Sequence, residues 1–373
     1  MSTRWKVAIL GATGLVGQRF LQLLENHPWF EVTTLAASGN SAGRCYGEVA
    51  NWMLDTPLPA RFAERVVQEA RPEAVDADFA FSALDSSVAG PIEEEFARYG
   101  LPVVSNASPH RMEPDVPLLL ADVNPEHIGM VPEQQRRRGF SSGFLVTNPN
   151  CSTAGLVTAL KPLDDAFGVE AVSVVTLQAT SGAGYPGVPS MSLLDNVIPF
   201  IGGEEEKLES EPQKILGRLC EGSFEPAPLV LSAQVNRVPV VDGHMESVSV
   251  KLRQKAGMAD IAAALADYAS EPQRLALPSA PKRPVVVRTE RDRPQTRLDR
   301  MASNGMAVVV GRIRHCPLFD VRFSLLSHNT IRGAAGAALL NAEWLVKNGL
   351  IQHGRQSEAV PEGNRASLVS ESR

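Results

Sequence analysis

The stretch WKVAILGATGLVGQRFLQLLENH, residues 5–27, decides the fold class. Its opening apolar run suits a strand buried on both faces, and the apolar positions after Gly14 recur at helical spacing. Gly11, Gly14 and Gly17 lie at the turn between them. Glycines there permit a tight bend and close backbone approach, so the N–H groups and dipole of the following helix can hold a pyrophosphate. The spacing is GxxGxxG, a variant of the GxGxxG dinucleotide fingerprint, and tight packing alone is the bland alternative. Gly11, Thr13, Gly14, Leu15 and Val16 are the expected cofactor contacts.

Outward from this unit, EVTTLAAS, ADFAFSAL and LPVVSNAS read as strands, with GPIEEEFARYG as a helix between them. That alternation predicts a Rossmann-type parallel α/β sheet over residues 1–150. Ser82, closing the ADFAFS strand, is a further expected cofactor contact. After residue 150 the pattern changes. AVSVVTLQATSG, NRVPVVDGHMESVSVKL, VVVRTER and MAVVVGRIRH have hairpin-like spacing, predicting an α+β domain over 151–327 with a mostly antiparallel sheet. IRGAAGAALLNAEWLVKNGL reads as a long helix with small residues on one side, so 328–353 is expected to pack back on the first domain. Residues 271–300 read as an extended surface excursion at a subunit interface, and 354–373 as a disordered polar tail.

Composition narrows the function. A net charge of −6 argues against general nucleic-acid binding. No apolar run approaches the ~20 residues of a membrane span, and MSTRWKVAIL lacks a signal-peptide pattern. The four cysteines, 45, 151, 220 and 316, show neither metal-ligand nor disulfide spacing, which predicts a reducing, cytoplasmic setting and no metal. An NAD site often places a carboxylate at the end of the second strand. Here the strand runs into LAASGNSAGRCYG, where Ser38, Ser41 and Arg44 could bond a 2′-phosphate that a carboxylate would repel. NADP is therefore expected in preference to NAD, with an ordinary polar loop as the alternative.

Two further stretches carry chemistry. In NPNCSTAGL (148–156), Pro149 biases Asn148 toward extended backbone, and CSTAGLVTAL can start a helix. Cys151 would then lie in the first turn, where dipole and free N–H groups favour thiolate and can hold an oxyanion. Asn150 is an additional candidate donor; a buried structural thiol is the competing reading. In VNRVPVVDGHMESVSV, Asp242-Gly243 is a strong hairpin turn. That register opposes Val241 to His244, Pro239 to Glu246 and Arg237 to Val248. It sets Arg237 and His244 on one face roughly 13 Å apart at ~3.3 Å per residue. The gap suits a small substrate with its carboxylate on Arg237 and its reactive end at the imidazole. Pro239 cannot donate to a ladder, so the register could slip.

GATGLVGQ, SNASPHRM, NPNCSTAGL, LQATSGAGYPG, NVIPFIGGEEEKLESEPQKILG, NRVPVVDGH and LSHNTIRGAAGAALLNAEWL, in order from residue 5 to about 350, together resemble aspartate-semialdehyde dehydrogenase of the archaeal and fungal type. The resemblance implies an NADP-binding domain, a catalytic domain that also dimerises, and reversible reductive dephosphorylation of L-4-aspartyl phosphate to L-aspartate 4-semialdehyde. It implies a thioester on Cys151, His244 as general acid/base with an ordinary pKa near ~6.5, and Gln178 orienting the acyl group. Ser181 and Gly182 would line the nicotinamide side, and Asn329 and Thr330 would meet the cofactor from the second side or simply cap a helix. Arg237 matches the substrate-carboxylate arginine, Arg111 and Lys207 the phosphate-binding pair. Glu204 matches the acid for the substrate ammonium; Glu205 is a rival because EEEK can slide by one, and a solvated acidic helix start is the bland alternative. Asn40 stands where the family often has a basic residue, which leaves NAD open as a secondary cofactor. Cys45, Cys220 and Cys316 fall outside these blocks and are read as structural. The expected partners are the small-molecule substrate and a second or further copies of the chain, as a homodimer or homotetramer. Two rivals stay open: an acyl-CoA reductase of the malonyl-CoA type on the same scaffold, and a non-catalytic NADP-binding sensor.

Overall fold

The computed structural model describes residues 4–353; the tail predicted to be disordered lies outside them. Strands β1 (Trp5–Leu10), β2 (Phe30–Ala37), β3 (Gln68–Glu69), β4 (Phe79–Ser82), β5 (Val103–Ser105) and β6 (Leu145–Thr147) form one parallel sheet ordered β3-β2-β1-β4-β5-β6. β1 is apolar throughout its buried length because both of its faces are covered. Val7 and Ile9 pack with Phe20 and Leu21 of helix α1 (Leu15–Leu24), while Ala8 and Leu10 pack with Phe96 and Ala97 of α2 (Ser86–Arg98). The strand order reverses between β1 and β4, so their carboxyl ends open the crevice where ligands bind in such sheets.

Helix α3 (Cys151–Phe167) follows β6 and lies on a second, mixed sheet. Its strands are β7 (Val169–Gln178), β10 (Val230–Arg237), β11 (His244–Leu252), β12 (Val285–Arg288), β13 (Val308–His315) and β14 (Val321–Ser327). They run in the order β10-β7-β11-β14-β13-β12, with β10–β7 and β12–β13 parallel and the other pairs antiparallel. β8 (Arg218–Cys220) and β9 (Ser223–Glu225) make a separate small hairpin after helix α4 (Glu204–Ile215).

The hairpin expected at Asp242-Gly243 does not form. β10 and β11 flank β7 on opposite sides, and residues 238–243 arch over its end. β7 is a long apolar strand with two edges to pair, and those long-range ladders outweigh the local turn signal. The arch is held to the segment after β7, with Val238 N–H donating to Gln178 C=O (3.0 Å) and Thr180 N–H to Val240 C=O (2.7 Å). Arg237 therefore pairs with Gln178 across one ladder, and Met245 with Leu177 across the other. By this register Arg237, Gln178 and His244 stand side by side on three adjacent strands.

Residues 271–300 also depart from expectation. Leu277 is in the core of the first sheet, Val285 in that of the second, and buried Asp299 accepts from Arg293 Nε (2.6 Å), so the segment is structural rather than an excursion. The C-terminal helix does return to the first sheet. It opens with a π-helical turn, Ile331–Ala335, and continues as α5 (Gly336–Lys347). Its small residues are not confined to one side, because the helix is enclosed: Ala338 and Leu339 join the core of the first sheet, and Ala337 meets Ala154 and Val157 of α3.

Candidate active site

Asn148-Pro149-Asn150 brings the chain off β6, and Asn150 caps α3, its side-chain oxygen accepting from Ser152 N–H (2.9 Å). That starts the helix at Cys151. Across the domain junction, β11 begins at His244, and Cys151 Sγ lies 3.1 Å from His244 Nε2. Cys151 opens into a cleft of about 460 Å³. Gly14, Leu15 and Val16 form one wall, with Asn329 and Thr330; Ser181 and Gly182 form another; Arg111, Asn150, Glu204, Lys207 and Arg237 complete it. His244 and Gln178 lie beneath this surface, 0% and 1% exposed.

The charged groups are interlocked. Glu204, buried, accepts from Asn150 Nδ2 (2.9 and 2.8 Å), from Lys207 Nζ (2.8 Å) and from Gln178 Nε2 (3.4 Å). Glu205 points elsewhere and accepts from Val235 N–H at the free edge of β10 (3.1 Å), which separates the two glutamates that sequence left as rivals. Arg237 Nη1 donates to Ala179 C=O (2.6 Å), and among the described residues no carboxylate pairs with it. Arg111 donates to Asn106 C=O (2.7 Å) and Glu211 (3.1 Å), leaving its Nε without a partner.

One expectation needs correction. Asn150 is not a free oxyanion donor, since Glu204 occupies its amide N–H groups. The other two groups meet opposing surroundings. Burial and then Glu204 push the Cys151 thiol up to about 12, against Arg111, Arg237 and the Ser152 N–H. Burial, then Arg237 and His328, push His244 down to about 3. Both shifts favour the uncharged forms, enclosure acting against the helix terminus.

The glycine turn fits an anion. Gly11 has φ +77°, and a Cβ there would lie 2.4 Å from Ala83 C=O; α1 starts behind Gly14 with no side-chain cap, leaving its first N–H groups available. Thr13 flanks the turn, its carbonyl taken by Gln18 Nε2 (3.0 Å). Ser38, Ser41 and Arg44 lie on the loop after β2, next to the turn, since Gly11 and Ala12 N–H both donate to Ala36 C=O. Arg44 is exposed and only loosely held by Glu48 (3.8 Å). Ser82 does not reach the cleft: its side chain is fully buried, and Ala83, Leu84, Asp85 and Ser86 line that wall in its place. Cys45, Cys220 and Cys316 are unpaired and outside the cleft. Among the described residues no cluster has the makings of a metal site, and no helix is long and apolar enough to cross a membrane.

A family model for the NAD-binding domain of semialdehyde dehydrogenases matches residues 6–131, and one for the semialdehyde dehydrogenase dimerisation domain matches 160–332. The chain is 54% identical over 340 residues to aspartate-semialdehyde dehydrogenase of Methanothermobacter thermautotrophicus, covering 90% of this chain and 97% of that one. It is 48% identical to the Schizosaccharomyces pombe enzyme, covering 93% and 99%. The chain belongs to the aspartate-semialdehyde dehydrogenase family. Its fold matches the Candida albicans aspartate-semialdehyde dehydrogenase solved with NADP, at TM-score 0.87 and 45% identity over 94% of this chain and 100% of that one.

In this aspartate-semialdehyde dehydrogenase family member, helix α4 supplies more than sequence reading found. Glu211 Oε1 holds Arg111 (3.1 Å) while Oε2 accepts from Asn150 N–H (2.7 Å). Lys214 Nζ, pushed down to about 8 by burial, donates to the carbonyls of Arg111, Glu113 and Val116 (2.7, 2.7 and 2.8 Å). The signal was present: residues 204, 207, 211 and 214 recur at one helical face.

Proposed function

We propose that the protein is an NADP-dependent, phosphorylating aspartate-semialdehyde dehydrogenase that interconverts L-4-aspartyl phosphate and L-aspartate 4-semialdehyde for synthesis of aspartate-family amino acids. The observation that carries this reading is Cys151 Sγ at 3.1 Å from His244 Nε2, at the head of a helix and in the same cleft as the glycine turn. Cys151 attacks the acyl phosphate and carries the aspartyl group as a thioester. Arg237, a buried cation with no carboxylate partner among the described residues, holds the substrate α-carboxylate. Glu204 receives the ammonium in exchange for Lys207, which turns with Arg111 to the phosphate; Gln178 orients the acyl group, and Asn150 positions Glu204 and the helix start. His244, 3.1 Å from the sulfur, is the general acid/base. Gly11, Gly14, Leu15, Val16 and the adjacent Thr13 hold the cofactor pyrophosphate, and Ser38, Ser41 and Arg44 its 2′-phosphate; Ser181, Gly182, Asn329 and Thr330 frame the nicotinamide. NADPH supplies the hydride that reduces the thioester.

A second copy of the chain covers the outer face of the second sheet, where Leu177 and Met245 are half-buried and adjacent, giving a homodimer or a pair of dimers. The four unpaired cysteines suit the cytoplasm. The test is NADPH formation from NADP and L-aspartate 4-semialdehyde with phosphate or coenzyme A as acyl acceptor. Phosphate-dependent turnover is expected. Dependence on coenzyme A with indifference to phosphate would overturn the reading in favour of an acyl-CoA reductase.

A further inference from the structure

We infer that Glu205 and Glu209 are positioning residues. By gripping the open edge of β10 they fix Arg237, on that strand, relative to Glu204, on their own helix. They thereby set the spacing that selects a substrate bearing both an α-carboxylate and an α-ammonium. This rests on the roles given to Arg237 and Glu204 above.

Helix α4 carries two polar stripes. Residues 204, 207, 211 and 214 recur on one helical face, toward the cleft and its supports. Glu205, Glu209 and Gln213 recur every four residues on another, and all three meet β10 or its approach. Glu205 accepts from Val235 N–H (3.1 Å), Glu209 accepts from Ala233 N–H (3.0 Å), and Gln213 Nε2 donates to Leu229 C=O (3.1 Å). The two periods match. Four residues of helix advance about 6 Å and two residues of strand about 6.6 Å, so alternate N–H groups of β10 meet carboxylates one helical turn apart.

β10 is the outermost strand of its sheet, with β7 on one side only. Its outward N–H groups need partners, and any polar side chain or water would cap them. What distinguishes these two carboxylates is where the rest of their helix is tied. Glu211 holds Arg111 and Asn150 N–H, and Lys214 holds the carbonyls of Arg111, Glu113 and Val116. Glu205 and Glu209 therefore join a helix anchored on the first domain to a strand anchored in the second sheet.

Substrate recognition straddles that join. Arg237 ends β10, two residues beyond Val235, and Glu204 opens α4, next to Glu205. At Arg237 the strand edge is closed by Ile198, which exchanges both backbone hydrogen bonds with it (3.0 and 2.8 Å). Residues 199–203 then lead to Glu204, ending in Gly202 and Gly203. Two glycines in succession leave that link pliable, so it does not fix the helix by itself. Arg111 and Lys207 both belong to the helix side, Arg111 through Glu211. Phosphate therefore does not span the join, whereas the semialdehyde does.

The test is steady-state kinetics of Glu205→Ala, Glu209→Ala and the double variant in the full chain. In the double variant KM for L-aspartate 4-semialdehyde should rise about tenfold, with KM for phosphate and NADP within about twofold of wild type. Succinate semialdehyde keeps the carboxylate and lacks the ammonium. Preference for L-aspartate 4-semialdehyde over it, read as substrate or as competitive inhibitor, should also fall about tenfold. Glu205→Gln and Glu209→Gln keep an acceptor oxygen and should recover most of both losses. Unchanged preference, or an equal loss toward semialdehyde, phosphate and NADP, overturns the inference and leaves the pair as edge caps. Hydrogen exchange gives a reading free of activity. The Ala233 and Val235 amides should be protected in wild type and lose that protection in the alanine variants. Free exchange of both in wild type overturns the tether. If the alanine variants do not fold, the glutamine variants decide, with a smaller loss in the same direction expected. If the protein lacks the dehydrogenase activity, the proposed function fails while exchange still reports the tether.

Discussion

Glu211 does two jobs with one carboxylate, fixing Arg111, the proposed phosphate ligand, and Asn150 N–H at the start of the helix that carries Cys151. Glu211→Gln keeps the shape and removes the charge. It should raise KM for phosphate and lower kcat/KM by roughly tenfold to a hundredfold, the worth of a charge-assisted hydrogen bond. Unchanged phosphate kinetics would contradict that role. The thiol makes a second residue-scale prediction. Because burial and Glu204 push Cys151 up to about 12, alkylation at its peptide should be slow at neutral pH. It should keep rising with pH beyond ~8.5, where an ordinary thiol levels off; a plateau near neutrality would refute that shift. Sequence located Cys151, His244 and Arg237 but not the enclosure that pushes the first two toward their uncharged forms. A helix start is legible in NPNCSTAGL, whereas enclosure by Glu204, Arg237 and Gly182 is made by distant segments and leaves no local pattern.

At the scale of elements, the π-helical turn at Ile331–Ala335 brings backbone against the nucleophile, and a Cβ on Gly333 would lie 2.7 Å from Cys151 Cβ. Backbone and Cβ atoms cannot swing aside as a side-chain tip would. Gly333→Ala should therefore cost about 1–3 kcal/mol of stability and lower kcat/KM, read by thermal unfolding and steady-state kinetics. Wild-type stability and turnover would show that the approach is slack. The same scale shows why the DG turn misled. Asp242-Gly243 does bend sharply, with Gly243 at φ +99°, but the strands on either side both prefer β7. Local turn chemistry says where a chain bends, and ladder partners are set by long-range burial. The glycine turn was read correctly because its strand, turn and helix are contiguous and interact with one another.

For the whole molecule, two sheets meet at a cleft lined on one side by the glycine turn at Gly14, with Cys151, 3.1 Å from His244, opening into it. The enclosed C-terminal helix ties the halves together. The fold of the first domain was legible from alternation; the strand order of the second was not, since it depends on which of several apolar strands takes the centre. Cofactor choice belongs to this scale too. Arg44→Ala should weaken NADP binding about tenfold and leave NAD nearly unaffected, because only NADP carries the 2′-phosphate. Equal losses would move 2′-phosphate recognition elsewhere. The account as a whole turns on one covalent species. Incubating the protein with L-aspartate 4-semialdehyde and NADP without phosphate, then digesting it for mass spectrometry, should yield an aspartyl thioester on the Cys151 peptide and about one equivalent of NADPH. NADPH formed with no acyl group on Cys151, or an acyl group on another residue, would contradict it.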